Sequence, residues 1–335
     1  MIQRFNFISA VLLTSSISIS SFASTLETMR PALKEAPRLQ ALSINPNGDI
    51  WASGTKGQVV VSHDNGKNWH KKHVPNAQEL QFRDIWASQE TIYLLAAGDG
   101  SASRLYKSQD NGSSWENQYT MKNPKGFINC FDFWDKDNGI VVGDTIDDKV
   151  FMLITTDGGE NWTRVARAPA ANVGGEGGFS ASGSCARIDG NTHAWLTTGA
   201  TTQARILRTS DRGETWTSTP LPFPNSKTGG IFSAIPKSGF AFGGQMKPAI
   251  VTGFYRSAGH WQAIKNIPLK GAIYGSDSHG DEVIVVNPDG AALSTNKGKT
   301  WQRISDEPYW VVEYDSKGSA WLAGPNGRIS ATISK

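Results

Sequence analysis

The sequence predicts an all-β chain closed into a seven-bladed β-propeller. Three features carry that expectation: a turn phrase repeated six times, copy spacings that each fit one four-stranded blade, and seven apolar strands between the copies. The phrase reads Ser/Thr-x-Asp-x-Gly-x-Ser/Thr/Asn-Trp. It runs from Ser62 through Asp64 to Trp69, Ser108 through Asp110 to Trp115, Thr155 through Asp157 to Trp162, and Thr209 through Asp211 to Trp216. A shortened copy ends at Trp261, and the last runs from Ser294 through Asn296 to Trp301. The tryptophans lie 46, 47, 54, 45 and 40 residues apart.

Each position of the phrase has a physical role. The aspartate side chain accepts backbone N–H bonds inside a tight turn, and the glycine two residues on takes the positive φ that the turn requires. The flanking Ser or Thr adds a side-chain to backbone bond, and the tryptophan folds back as an apolar lid over its own blade. These aspartates and tryptophans are therefore structural. Short apolar strands recur between the copies, at 49–54, 91–98, 139–143, 193–199, 239–244, 283–287 and 319–324. The seventh begins a blade, opening at Tyr309 and Trp310, that ends at Lys335 before a turn phrase can form. Residues 25–36 are free to supply its outer strand, which would remove the exposed edges of an open sheet. Six blades with a frayed C-terminus is the second choice.

Residues 1–23 read as a secretory signal, with Arg4, an apolar stretch from Phe7 to Leu13 and a small-x-small site at Ser21-Phe22-Ala23. Residues 24–335 then form a single propeller domain, exported to the periplasm or beyond. Losing Arg4 leaves 32 basic against 30 acidic residues, a balance without the basic face that nucleic acid demands. Cys130 and Cys185 fall on or near the first strands of consecutive blades, where they either form a disulfide or stay as two buried thiols.

Function is expected on the loops that join blades and on those leaving each second strand. Two of the first kind are long, 168–184 and 220–230, and the former holds a glycine-rich run with Glu176 and Ser182. That run lacks the Lys-Ser/Thr ending of a phosphate-cradling loop. Candidate binding residues are Arg83, Asp84, Arg104, Glu176, Ser182, Arg187, Arg205 and Lys247. No catalytic set is recognisable: Gly-x-Ser-x-Gly is absent, the six histidines show no paired metal spacing, and Asp147-Asp148 matches no calcium cage. Neither a metal nor a cofactor is expected. Phe82-Arg83-Asp84-Ile85 resembles the Phe/Tyr-Arg-Ile-Pro segment of sialidases, but it follows the first turn phrase and an aspartate interrupts it. Arg83, Arg187 and Arg205 would have to converge from different blades to hold a substrate carboxylate.

The repeated phrase resembles the Asp-box, or bacterial neuraminidase repeat. Over nearly all of its mature length the chain is similar to a bacterial group related to the photosystem II stability/assembly factor family. The resemblance rests on the boxes, on 324–329 and on 157–162, and on segments at 82–85, 175–179, 182–185 and 230–233. It implies an exported, non-enzymatic propeller that binds a protein partner, such as a membrane-protein assembly intermediate. The alternative is a glycan-binding or glycoside-hydrolysing propeller.

Overall fold

Strands that are apolar along their whole length need cover on both faces, and this chain is built from them. Val59–Ser62, Ile92–Ala96 and Gly290–Ser294 are buried at every position. In the computed structural model, which describes residues 25–29, 31, 33, 36–172 and 175–333, such strands stand in seven four-stranded antiparallel sheets arranged as a ring. The fold is a seven-bladed propeller, and the six-bladed alternative is excluded. The segment read as a secretory signal and Gly174 of the glycine-rich run lie outside the described residues.

The innermost strands of blades 1 to 7 are Leu39–Ile44, Phe82–Ala87, Ile128–Phe133, Ala186–Asp189, Gly229–Ile235, Gly275–His279 and Val311–Tyr314. In blades 1 to 6 the remaining three strands follow outward in chain order. The seventh blade takes three strands from the C-terminal end and its outer one from the N-terminal end. Thr25–Met29 runs antiparallel to Ile329–Ile333, with Thr25 opposite Ile333 and Met29 opposite Ile329.

The boxes join third to fourth strands at one end of the ring. In the first, the Ser62 hydroxyl donates to Asp64 Oδ1 at 2.9 Å and accepts from the Gly66 N–H at 2.8 Å. Asp64 accepts from both the backbone and the side-chain amide of Asn68, at 2.8 and 2.6 Å, and Trp69 Nε1 donates to the Gly66 carbonyl at 3.0 Å. Hydrogen bonds from Asn68, Ser114, Asn161 and Thr215, with those from Ser62, Ser108, Thr155 and Thr209, hold Asp64, Asp110, Asp157 and Asp211 at a pKa of about 2. In the sixth box Asn296 Oδ1 takes the aspartate's part, accepting from the Thr300 N–H at 2.9 Å. The fifth is reduced to a two-residue turn, Ala258-Gly259, with φ of 48° and 84°.

The tryptophans cover more than their own blades: each sits in the seam with the preceding blade and packs on both. Trp162 of blade 3 packs with Tyr93 and Leu95 of blade 2 as well as Phe131 and Phe133, its ring 6.0 Å from that of Phe133. Trp69, Trp115, Trp216, Trp261 and Trp301 occupy the equivalent seams. The reason is geometric: twisted sheets stacked around an axis bury their apolar faces against one another, so the widest apolar gap lies between blades. In the seam of blades 3 and 4, Cys130 and Cys185 are joined as a disulfide with their Cα atoms 5.9 Å apart.

Trp162 is half-buried. Trp162→Ala should therefore cost about 2–3 kcal/mol, below the ~3–5 kcal/mol of a fully buried tryptophan because its outer edge stays in water. Denaturant unfolding of the two proteins measures this, and a loss under about 0.5 kcal/mol would contradict seam packing.

Candidate functional site

Around the axis, a polar side chain on one blade's inner strand accepts a backbone N–H from the next blade. Ser43 Oγ accepts from Ala87 N at 3.0 Å, Asp84 Oδ2 from Phe131 N at 2.9 Å, and Asp132 Oδ2 from Ile188 N at 2.8 Å. Asp277 Oδ2 accepts from Tyr314 N at 2.7 Å, and Glu313 Oε1 from Ile44 N at 3.3 Å. Four of these acceptors are carboxylates, and Arg187 of blade 4 is the cation among them. Burial alone would lower the Arg187 pKa, but Glu313, Asp277, Asp132 and Asp84 together raise it and keep the guanidinium charged. Burial pushes Glu313 up to about 8 and Asp132 up to about 6 against the pull of Arg187; it also raises Asp277 and carries Asp84 well above the carboxylate range. The axis is a packed charge cluster enclosed by inner strands, with partial solvent access at Asp132, Arg187, Asp277 and Glu313.

The long loop between blades 3 and 4 crosses the mouth of this axis at the end opposite the boxes. Its base is fixed by Glu176, whose carboxylate accepts both Arg205 Nε at 2.8 Å and Arg205 Nη2 at 2.6 Å and is fully buried. Ser180 then accepts from Arg83 of blade 2 at 3.0 Å, while the Ser182 hydroxyl bonds the Tyr274 carbonyl of blade 6 at 2.6 Å. Between these anchors Phe179 lies flat on Phe232 of blade 5, centroids 3.8 Å apart. Close approach here needs glycine: a Cβ on Gly199 would stand 2.3 Å from the Phe179 ring.

Beside the crossing loop an open cleft of about 370 Å3 is lined by side chains from six blades and by the loop itself. Its wall is aromatic: Phe179, Phe232 and Tyr274 lie parallel in sequence, and Trp310 meets Tyr274 edge-on at 5.7 Å. Its charge comes from Arg38, stacked 5.1 Å over Trp310, and from Arg83. Burial lowers the Arg83 pKa and the neighbouring Arg38 lowers it further, so each guanidinium raises the cost of the other. Arg83 donates to the neutral Gln81 and Ser180, Arg38 Nε is buried with no hydrogen-bond partner, and among the described residues no carboxylate pairs with either. Gln40 Oε1 is likewise buried and unbonded. Asp144 is the acid lining the cleft, held by Asn129 Nδ2 at 2.7 Å; burial raises its pKa.

The sequence-derived candidates thus separate into different places. Arg83 lines the cleft, and Asp84 and Arg187 belong to the axial cluster. Glu176 and Arg205 satisfy each other, and Ser182 is buried in the crossing loop. Arg104 donates to the Ser101 carbonyl at 2.6 Å outside the cleft, and Lys247 is exposed next to the cleft residue Met246. Arg83, Arg187 and Arg205 do not form one carboxylate-binding set. Sequence reasoning passed over Arg38, Gln40, Tyr274 and Trp310, and also Asp132, Asp277 and Glu313. The axial acids left a signal, a lone charge within an inner strand, as in Phe131-Asp132-Phe133 and Val312-Glu313-Tyr314.

Comparison with known proteins supports the resemblance read from the sequence. A family model described as photosynthesis system II assembly factor YCF48 matches residues 17–147. The photosystem II assembly protein Ycf48 of Thermosynechococcus vestitus is 28% identical over 134 residues, covering 38% of this chain and 38% of that protein. Such alignments span about a third of the length of the curated relatives they match. Among solved structures, YCF48 bound to a D1 peptide superposes with a TM-score of 0.67 at 11% identity, covering 92% of this chain and 97% of that one. A GH74 xyloglucanase from Xanthomonas campestris gives 0.61 at 13% identity, covering 91% of this chain and 53% of that one. At these identities the structural matches establish the propeller fold. The chain is related to the photosystem II assembly factor propellers.

The axial acids set a pH dependence. With folded-state pKa values of about 6 for Asp132 and about 8 for Glu313, the native ring holds protons that unfolded carboxylates, titrating near ~4, have released. Stability on their account falls as pH rises from about 4 to about 8, whereas the box aspartates lose theirs as pH falls below about 4. The melting temperature should peak near pH ~4–5 and decline toward pH ~8, and Glu313→Gln should flatten the upper part of that decline. A profile in which wild type and Glu313→Gln run parallel from pH ~5 to ~8 would contradict the assignment.

Proposed function

We propose that this chain is an exported, non-catalytic propeller that binds a segment of a protein partner in the loop-face cleft, in the service of assembling or stabilising a membrane protein. One observation carries the reading: Arg38 and Arg83 lie side by side, against an aromatic wall, without an acidic partner among the described residues. Two desolvated guanidiniums held together are costly unless an anion arrives between them. A carboxylate on the partner would supply it, and an adjacent apolar or aromatic side chain would cover Phe232, Tyr274 and Trp310. Three of the segments on which the resemblance to the related bacterial group rests, 82–85, 175–179 and 230–233, supply Arg83, Phe179 and Phe232 to this same cleft. A propeller of like architecture that holds a D1 peptide supports a peptide as the class of ligand.

Hydrolysis is the weaker reading. Ordinary glycosidases need two carboxyl groups facing a sugar. Among the described residues the cleft has the single acid Asp144, and the axial acids are engaged with backbone N–H groups and Arg187.

Crosslinking capture with tagged protein, followed by affinity measurement on the captured partner's segment, tests the proposal. Arg38→Ala/Arg83→Ala should weaken binding about thirtyfold or more, roughly 2 kcal/mol for loss of buried arginine anchors, with little change in melting temperature. Undiminished capture by this variant, or binding of a xyloglucan oligosaccharide in place of any peptide, would overturn it.

A further inference from the structure

The end of the ring that carries the boxes holds a second cleft, unrelated to the loop face. It lies in the seam of blades 5 and 6 and measures about 640 Å3. Two boxes border it: the fifth, cut to the turn Ala258-Gly259, contributes Arg256 and Ser257, and the sixth contributes Lys297 and Lys299. Four other boxes each set an ionised aspartate on this rim, at Asp64, Asp110, Asp157 and Asp211. The two boxes that flank the cleft do not: the fifth has no acid, and the sixth has Asn296.

What remains there is positive. Lys237, Arg256, Lys297 and Lys299 line the cleft with His279, and among the described residues no Asp or Glu does. Lys297 is paired with Asp281 at 3.2 Å, both well exposed, whereas Lys237, Arg256 and Lys299 have no carboxylate partner among the described residues. The apolar surface beneath them is the half-buried Tyr255 ring, with Phe240 and Val283 buried behind it.

We propose that this cleft binds the phosphate headgroup of an anionic phospholipid and so seats the blade 5–6 edge of the ring on a membrane surface. The combination of features selects that occupant. A bare phosphate is far smaller than the cleft and would leave the half-buried Tyr255 ring in water. A flexible ring of exposed lysines suits a diffuse negative surface better than one fixed anion, which would be held by converging backbone N–H groups or a rigid guanidinium fork. The lipid's glycerol and upper acyl carbons cover the Tyr255 ring while its phosphate meets Lys237, Arg256 and Lys299. The acidic boxes of blades 1 to 4 are repelled by the same surface, which favours contact at the edge where the boxes carry no acid.

Full-length protein is floated with vesicles of phosphatidylcholine, with and without phosphatidylglycerol, at low and physiological salt. Binding should require phosphatidylglycerol, weaken with salt, and fall about tenfold or more in Lys237→Glu/Lys299→Glu. Lys122→Glu/Lys125→Glu, which changes net charge equally on exposed residues outside the cleft, should bind like the parent. Equal loss in that control, equal binding to phosphatidylcholine alone, or displacement by inorganic phosphate at matched ionic strength would overturn the proposal. Melting curves of both variants should match the parent, and a lowered melt in the cleft variant would make its lost binding a folding defect, in which case Arg256→Gln must reproduce the weakening for the proposal to stand.

Discussion

Each blade can bury its two apolar faces only against its neighbours, and that requirement organises the whole molecule. Seven seams result, each with its own apolar cluster drawn from two consecutive blades. A gap anywhere would strip cover from two sheets at once. Closure is therefore made by the most distant pairing available, Thr25–Met29 against Ile329–Ile333, and one further seam is locked by the Cys130–Cys185 bond. Five of the seven junctions between inner strands also carry an axial side-chain to backbone hydrogen bond, so seams and axis reinforce one set of blade positions.

This constraint decides where recognition can occur. Strands and seams are committed to packing, and the axis is filled by Arg187 and four acids under a crossing loop. What is left is the pair of ring ends. At the loop end, positions that open the inner strands of successive blades turn inward together, so residues as far apart as Arg38, Arg83 and Trp310 become neighbours. At the box end, local repair of the turn by Asp, Asn or a two-residue hairpin changes charge without disturbing the ring, and blades 5 and 6 have drifted furthest from the acidic pattern.

The ring was readable because its signals are local and periodic. A box is complete within eight residues, and the apolar strands at 139–143 or 283–287 need no knowledge of their neighbours. The cleft was not readable, because ring geometry alone brings its members together. Tyr274 and Trp310 each sit just ahead of an inner strand and look in isolation like ordinary core aromatics. Glu176 and Arg205 were singled out as binding candidates on the loop face, but their pairing across 29 residues gives them a structural task in holding the loop base. The tryptophans were recognised as apolar covers, yet which surface they cover depends on sheet stacking, which no single repeat encodes. The disulfide was legible only as a proximity, since sequence gives neighbouring strands and not the distance between two sulfurs.

The dependence of the whole ring on its closing strand is measured most directly by native-state hydrogen exchange. Amides of Thr25–Met29 that bond to Ile329–Ile333 should be protected to the same free energy as those of the inner strand Val311–Tyr314, and all should open in one cooperative step. Exchange of the Thr25–Met29 amides at rates near those of an unstructured segment, while the seven blades keep their protection, would mean that the ring stands without its closure and would contradict the account.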